Sequence, residues 1–227
     1  MLRYGRIGAG LAAVALLTSL VGAAPAAASP SSQLAGAVLT YPTPGGTAAA
    51  VGDVIQASLA SGTSATFYSS TTGTSGLKCA ASSFSAAVLS NPAAPGTATE
   101  SLTAQTFTSC TSNVLGTTGV KSVTVNNLPY ATSVTSAGVV TISGTATAPI
   151  QSTVVLNTLL GTITCVYRTS SNTLTGSADN NTNSITFTNQ ALTKYSGSSI
   201  CFGTAYFSAR YSPVVDSTQG GSPVYVN

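Results

Sequence analysis

Apolar and polar positions along most of this chain alternate with a period of two, and they do so in short runs. In 204–211, Tyr206, Ser208 and Arg210 fall on one face of an extended segment and Phe207, Ala209 and Tyr211 on the other, because successive side chains of a strand point to opposite sides. The run 120–125 reads Val-Lys-Ser-Val-Thr-Val, and 130–134 and 139–143 flank Ser136-Ala137-Gly138, a hairpin with a glycine in its loop. Further strands are predicted at 53–59, 63–68, 84–89, 99–107, 153–157, 161–168 and 184–190, with 34–41 offering one more. These runs are rich in β-branched and aromatic residues and cut by Gly, Pro, Asn and Ser. Pro42, Pro44, Pro92, Pro95, Pro149 and Pro213 lie at their ends, where a missing N–H breaks no central ladder. From residue 29 onward no stretch keeps apolar residues at helical spacing for three turns. The pattern predicts an all-β protein, an antiparallel β-sandwich or a barrel-like fold; a parallel sheet would need helical crossovers that the chain lacks.

The amino terminus departs from this pattern. Arg3 and Arg6 precede an uncharged apolar stretch over 7–21. The stretch is broken by Gly8, Gly10, Thr18, Ser19 and Gly22, which argues against a membrane anchor, since about 20 apolar residues are needed to span a bilayer. It ends in Ala26-Ala27-Ala28, the small-residue pattern that precedes signal cleavage. The two arginines are not adjacent, so a twin-arginine route is unsupported. Residues 1–28 therefore read as a cleaved signal peptide, 29–52 as an Ala/Pro/Gly-rich, partly ordered lead-in and 53–227 as the β domain. The expected location is secreted, extracellular or cell-wall associated, with no membrane insertion after cleavage.

Cleavage also changes the charge. It leaves Lys78, Lys121, Arg168, Lys194 and Arg210 against Asp53, Glu100, Asp179 and Asp216. Binding to polyphosphate surfaces scales with the number of phosphates neutralised, so a nearly balanced chain is expected to bind nucleic acid and anionic lipid poorly. Its solubility has to come from hydroxyls and amides.

Cys79, Cys110, Cys165 and Cys201 are an even set in an exported chain, which favours disulfides. With no C-x-x-C and no His, a zinc site would need four thiolates from distant positions. Spacing alone leaves three pairings open. An internal comparison chooses among them: 58–79 lines up with 143–165, and 101–108 with 183–190, each followed by a second cysteine at intervals of 31 and 36 residues. The chain reads as two diverged Cys-containing halves, 53–139 and 140–227, pairing Cys79 with Cys110 and Cys165 with Cys201.

Absence carries most of the chemistry. Without His, neither Ser-His-Asp nor Cys-His catalysis is available, and the usual His-containing metal sites are excluded. The four carboxylates sit in no motif that suggests the facing pair a glycosidase needs. Ser75 and Lys78 match S-x-x-K, a motif that works on a helix, but here it lies in a Gly/Ser/Thr-rich non-helical segment. Asp179-Asn180-Asn181-Thr182-Asn183 resembles the start of a calcium loop with Gln190 in the place of the bidentate Glu. Ser184 stands where the glycine should be, so an Asn-rich hairpin turn is preferred. Tyr206, Ser208 and Arg210 form a candidate binding face, weighed against an ordinary outer sheet face. No catalytic residue, cofactor or metal ligand is assigned.

The export signal, Ser-Asn-Pro-Ala-Ala-Pro-Gly-Thr at 90–97, Val-Thr-Val-Asn-Asn-Leu-Pro-Tyr at 123–130 and Val-Val-Leu-Asn-Thr-Leu-Leu-Gly at 154–161 together resemble a group of secreted actinobacterial β-rich proteins of unassigned function. A fainter likeness, in cysteine placement and strand composition, is to exported activators of alkane oxidation. Neither resemblance brings catalytic residues. The expected function is a non-enzymatic secreted or envelope-associated binding or surface-structural module with a protein or cell-surface partner. The alternative is a secreted effector, such as a protease inhibitor or antibacterial toxin, using the loop 91–96 as its active edge.

Overall fold

In the computed structural model, which describes residues 36–227, the alternating runs become strands of an antiparallel barrel without any helix among the described residues. The predicted signal at 1–28 and the start of the lead-in, 29–35, lie outside the described residues. In chain order the strands are β1 Leu39–Tyr41, β2 Thr47–Ala48, β3 Val54–Ser58, β4 Ala65–Tyr68, β5 Gly76–Ser90, β6 Thr97–Ser112, β7 Gly119–Asn126, β8 Tyr130–Thr135 and β9 Val139–Ser143. They continue as β10 Gln151–Thr158, β11 Gly161–Arg168, β12 Thr173–Asp179, β13 Ser184–Gly197, β14 Thr204–Tyr211, β15 Val215–Asp216, β16 Ser222–Pro223 and β17 Tyr225–Val226.

Eight strands close one circuit, in the order β4-β5-β6-β8-β9-β12-β13-β14. The three long strands β5, β6 and β13 let the sheet fork. The first half of β6 pairs with β8 and its second half with β7, while β13 pairs first with β12 and then with β11. A second circuit, β4-β5-β6-β7-β10-β11-β13-β14, closes through these branches. Both forks fall near a slip in register. The β5–β6 ladder shifts where Ser85 and Ala86 oppose Ala104 and Leu102, and the β13–β14 ladder shifts between Phe187 and Gln190, where Asn189 has φ +49. Such bulges bend a strand and increase its local twist, which is what lets one strand serve two neighbours in succession.

The core is a stack of rings. Phe67 lies 5.1 Å from both Phe107 and Phe207, Phe187 lies 6.0 Å from Phe207, and Phe84 meets Tyr211 edge-on at 5.3 Å. These residues come from both sequence halves, so the halves share one core. Gly176 faces Phe187 across the β12–β13 ladder, and a Cβ there would sit 2.8 Å from the ring; the glycine makes room for the aromatic. The lead-in contributes as well: Val38, Leu39 and Ala49 are buried, and β1 pairs with β2 and with the C-terminal β17.

Both cystines form as the internal comparison predicts, Cys79–Cys110 and Cys165–Cys201. The first links directly opposed positions of β5 and β6, and the second ties β11 to the loop after β13. Both lie toward one end of the barrel, here the cystine end, whose loops are 69–75, 113–118, 159–160 and 198–203. The opposite end carries the loops 91–96, 136–138 and 180–183 and the turn 217–221.

Candidate functional site

On the outer surface, β3 and β5 pair Gln56 with Ser85 and Ser58 with Ser83, and Pro213 and Val215 form the neighbouring wall. Together they enclose a groove of about 370 Å3. Its floor is hydroxylated because the alternating face that leaves the core at 83 and 85 is serine in this sequence. The Ser83 hydroxyl is 2.9 Å from that of Thr106, and Thr103 Oγ1 donates to the Ser85 carbonyl at 3.2 Å. Among the described residues, no ionisable side chain lines the groove. The cavities inside the barrel are much smaller, at about 10 to 40 Å3, and are lined largely by aromatic and aliphatic side chains.

The carboxylates lie elsewhere. Asp53 and Asp216 are adjacent and buried near the end opposite the cystines, a proximity the sequence does not reveal. Thr218 Oγ1 lies between them, 3.1 Å from Asp53 Oδ1 and in contact with Asp216 Oδ1. Asp53 Oδ2 accepts the Ala50 N–H at 2.7 Å, and Asp216 Oδ1 accepts the Thr218 N–H at 2.9 Å. Burial would raise Asp53, but the Ala50 N–H and the Gln219 amide outweigh it and hold the carboxyl below its ordinary range. Burial first, and then the hydrogen bond with Asp53 and its charge, raise Asp216 against the opposing Thr218 hydroxyl. One carboxylate beside one carboxylic acid is the expected state of such a pair. Asp216 is 0% exposed, and through Thr218 and Gln219 the pair fastens the C-terminal turn to β3.

Glu100 is the other buried acid, 5% exposed, between Val88 of β5 and Thr132 of β8. Burial alone pushes its carboxyl from 4.5 to about 7. It faces two of the small apolar cavities, and Thr132 Oγ1 beside it has no hydrogen-bond partner among the described residues. Sequence reading placed Glu100 only as the opening of a strand. The alternation Ala98, Glu100, Leu102, buried on the inner face of β6, was the available signal.

The other candidates fall in separate places. Tyr206, Ser208 and Arg210 share the outer face of β14 and are half-buried. Ser208 Oγ accepts the Asn189 N–H at 2.8 Å, and Arg210 Nε donates to Ser184 Oγ at 3.3 Å, so part of that face is engaged within the chain. Ser75 and Lys78 lie at the extended start of β5, not on a helix. Around Asp179, the Asn181 N–H and the Thr182 hydroxyl donate to the carboxylate, while Asn180 and Asn183 bond the backbone of Val226 and of Val214 and Val224. This is turn chemistry, with the two asparagines turned to the C-terminal segment. The loop 91–96 is tied to the lead-in at its base, where Asn91 bonds Leu39 and Ala49 and Val38 N–H donates to the Pro92 carbonyl, while Pro92, Ala93 and Pro95 are exposed.

No family model, curated protein or solved structure matches this chain. The case for function therefore rests on its own geometry.

Proposed function

We propose that the chain is a non-enzymatic secreted or envelope-associated β module that binds a neutral, polar cell-surface or protein partner in the groove over β3 and β5. The observation that carries this reading is the groove's composition. Its 370 Å3 falls in the size range of ligand sites, about 300 to 1,000 Å3, and its polar groups are hydroxyls and an amide. Such groups orient a ligand, but none has a titrating partner there to move a proton. The two cystines fit an oxidising, extracellular setting, in agreement with the signal read at 1–28. Cystine pairing within each half also supports a diverged duplication. No specific observation favours the effector alternative, whose proposed active loop is exposed at Pro92, Ala93 and Pro95 but tied at its base to β1.

Pull-down from culture medium and wall fractions, with wild-type protein and with Ser83→Arg, tests the reading. The expected result is a specific partner retained by the wild type and lost from the variant, with an unchanged melting temperature. Retention by both, or saturable turnover of any substrate by the purified protein, would refute it.

A further inference from the structure

The cystine end carries large apolar side chains where a soluble protein ordinarily puts polar ones. Thr158 pairs with Gly161, leaving Leu159-Leu160 as a two-residue hairpin loop, a position normally taken by Asn, Asp or Gly. The two leucines are 90% and 101% exposed, and Leu115 in the loop 113–118 is 94% exposed. Single exposed leucines need no explanation, but these three belong to one end. The Thr118 N–H donates to the Asn157 carbonyl at 2.8 Å, and Gly116 lies against Ile200 of the loop 198–203. Cys165–Cys201 pins that loop to β11, and Asn113 bonds Gly76 and Thr74 of the neighbouring loop. The tips are therefore mounted on one braced platform.

Charge is sorted in the same direction. Lys78 and Lys121 are exposed within the first three residues of β5 and β7, both of which begin at this end, and Lys194 Nζ reaches the Ser198 and Cys201 carbonyls at 3.4 and 3.3 Å. All four carboxylates of the chain lie in the other half of the barrel. Gly119 pairs with Asn157, so Lys121 is set back from the leucine tips by roughly 13 Å at ~3.3 Å per residue. This is the order in which an interfacial protein meets a bilayer, apolar groups at the headgroup–acyl boundary and cations at the phosphates.

We propose that the cystine end docks onto an anionic lipid bilayer, with Leu115, Leu159 and Leu160 entering the interfacial layer and Lys78, Lys121 and Lys194 facing the lipid phosphates. A bilayer suits these tips better than a protein partner. Side chains exposed this fully project from the tips of two separate loops and present no flat patch for a rigid surface to cover, whereas a fluid phase closes around each one. The contact is peripheral, with no strand crossing the membrane. It departs from the expectation of weak binding to anionic lipid, which counts charges without their placement. The surface is separate from the groove and does not depend on it.

The test uses the chain from Ser29 onward, which contains the whole compact unit Leu34–Asn227, sedimented with vesicles of phosphatidylglycerol and phosphatidylcholine and with phosphatidylcholine alone. The expected result is binding to the anionic vesicles that is weakened by salt. Leu159→Ser with Leu160→Ser should lower it about a hundredfold, and each of Lys78→Gln and Lys121→Gln about fivefold. Val51→Ser at the opposite end and Ser83→Arg in the groove should leave it unchanged, so groove and membrane readings fail separately. Equal melting temperatures confirm that the exposed leucines are dispensable for folding. Equal uptake by neutral vesicles, no loss in the double leucine variant, or a dimer that this variant converts to monomer without vesicle binding in either form would each overturn the proposal.

Discussion

The two ends of the barrel are built from the same antiparallel hairpins, yet they carry opposite chemistry. At the cystine end the loops are braced by covalent and side-chain ties, the tips are leucine, and the nearby charges are Lys78, Lys121 and Lys194. At the other end the loops are rich in Asn, Pro, Ser and Gly, the exposed apolar residues are Val51 in a turn and, less exposed, Leu89 and Val139 at strand ends, and three of the four acids are drawn inward, Asp53, Glu100 and Asp216, with Asp179 exposed near Arg210. A chain with only 5% charged residues is thus polarised along its barrel axis. The near balance of five cations and four carboxylates from residue 29 onward describes the sum and hides the separation, and it is the separation that decides what each end can touch.

The largest expected effect comes from breaking the brace. Replacing Cys165 and Cys201 together by Ala opens a loop of 36 residues, which chain entropy values at roughly 3 to 4 kcal/mol, and frees 198–203 from the platform. Denaturant unfolding should show that loss, and vesicle binding should weaken with it. Stability lost with full retention of binding would mean that the brace does not hold the tips.

The next effect belongs to the acid end. Glu100 is raised from 4.5 to about 7 by burial, so the folded state binds this proton more tightly than the unfolded chain does. Its stabilising contribution is fully present below pH about 4.5 and is lost as pH rises through about 7, amounting to about 3 kcal/mol when ionisation is complete. Asp216, also raised, acts in the same sense, and Asp53, held low, acts in the opposite sense. Unfolding free energy measured between pH 5 and 8 should therefore fall with rising pH, and Glu100→Gln should flatten most of that slope. A slope unchanged by the substitution would place the titration on another group.

Much of this architecture was legible in the residues. Alternation placed β3, β4, β7–β11 and β14 close to their observed positions, and the internal comparison chose the cystine pairing. Strand β12 was missed because Gly176 and its serine neighbour read as loop; the glycine is there to admit the Phe187 ring, a tertiary demand invisible within one segment. Strands β5 and β13 are predicted at half their length or less and β6 at little more than half, since most of the remaining residues are Ser, Thr, Ala and Gly, held extended by neighbours on both sides. The groove went unseen because its serines resemble every other surface serine. The meeting of Asp53 with Asp216 spans 163 residues, a proximity that only the closed barrel creates.

Tyr211 lies on β14, a strand common to both circuits, and its loss should divide the two ends least. Its hydroxyl is 2.9 Å from Ser82 Oγ and accepts from Gln105 Nε2 at 3.0 Å, and burial pushes it up to about 12. Tyr211→Phe keeps the ring that packs on Phe84 and Phe187 and removes only the oxygen. Gln105 Nε2 still donates to Ser82 Oγ at 2.9 Å, so neither remaining polar group is left without a partner. The cost should therefore stay near the worth of one neutral hydrogen bond, about 1 kcal/mol. Denaturant unfolding should show that small loss with an unaltered pH slope and unaltered vesicle binding. A larger loss, or a change at either end, would show that the two ends are coupled through this ring and do not act as independent surfaces on a shared core.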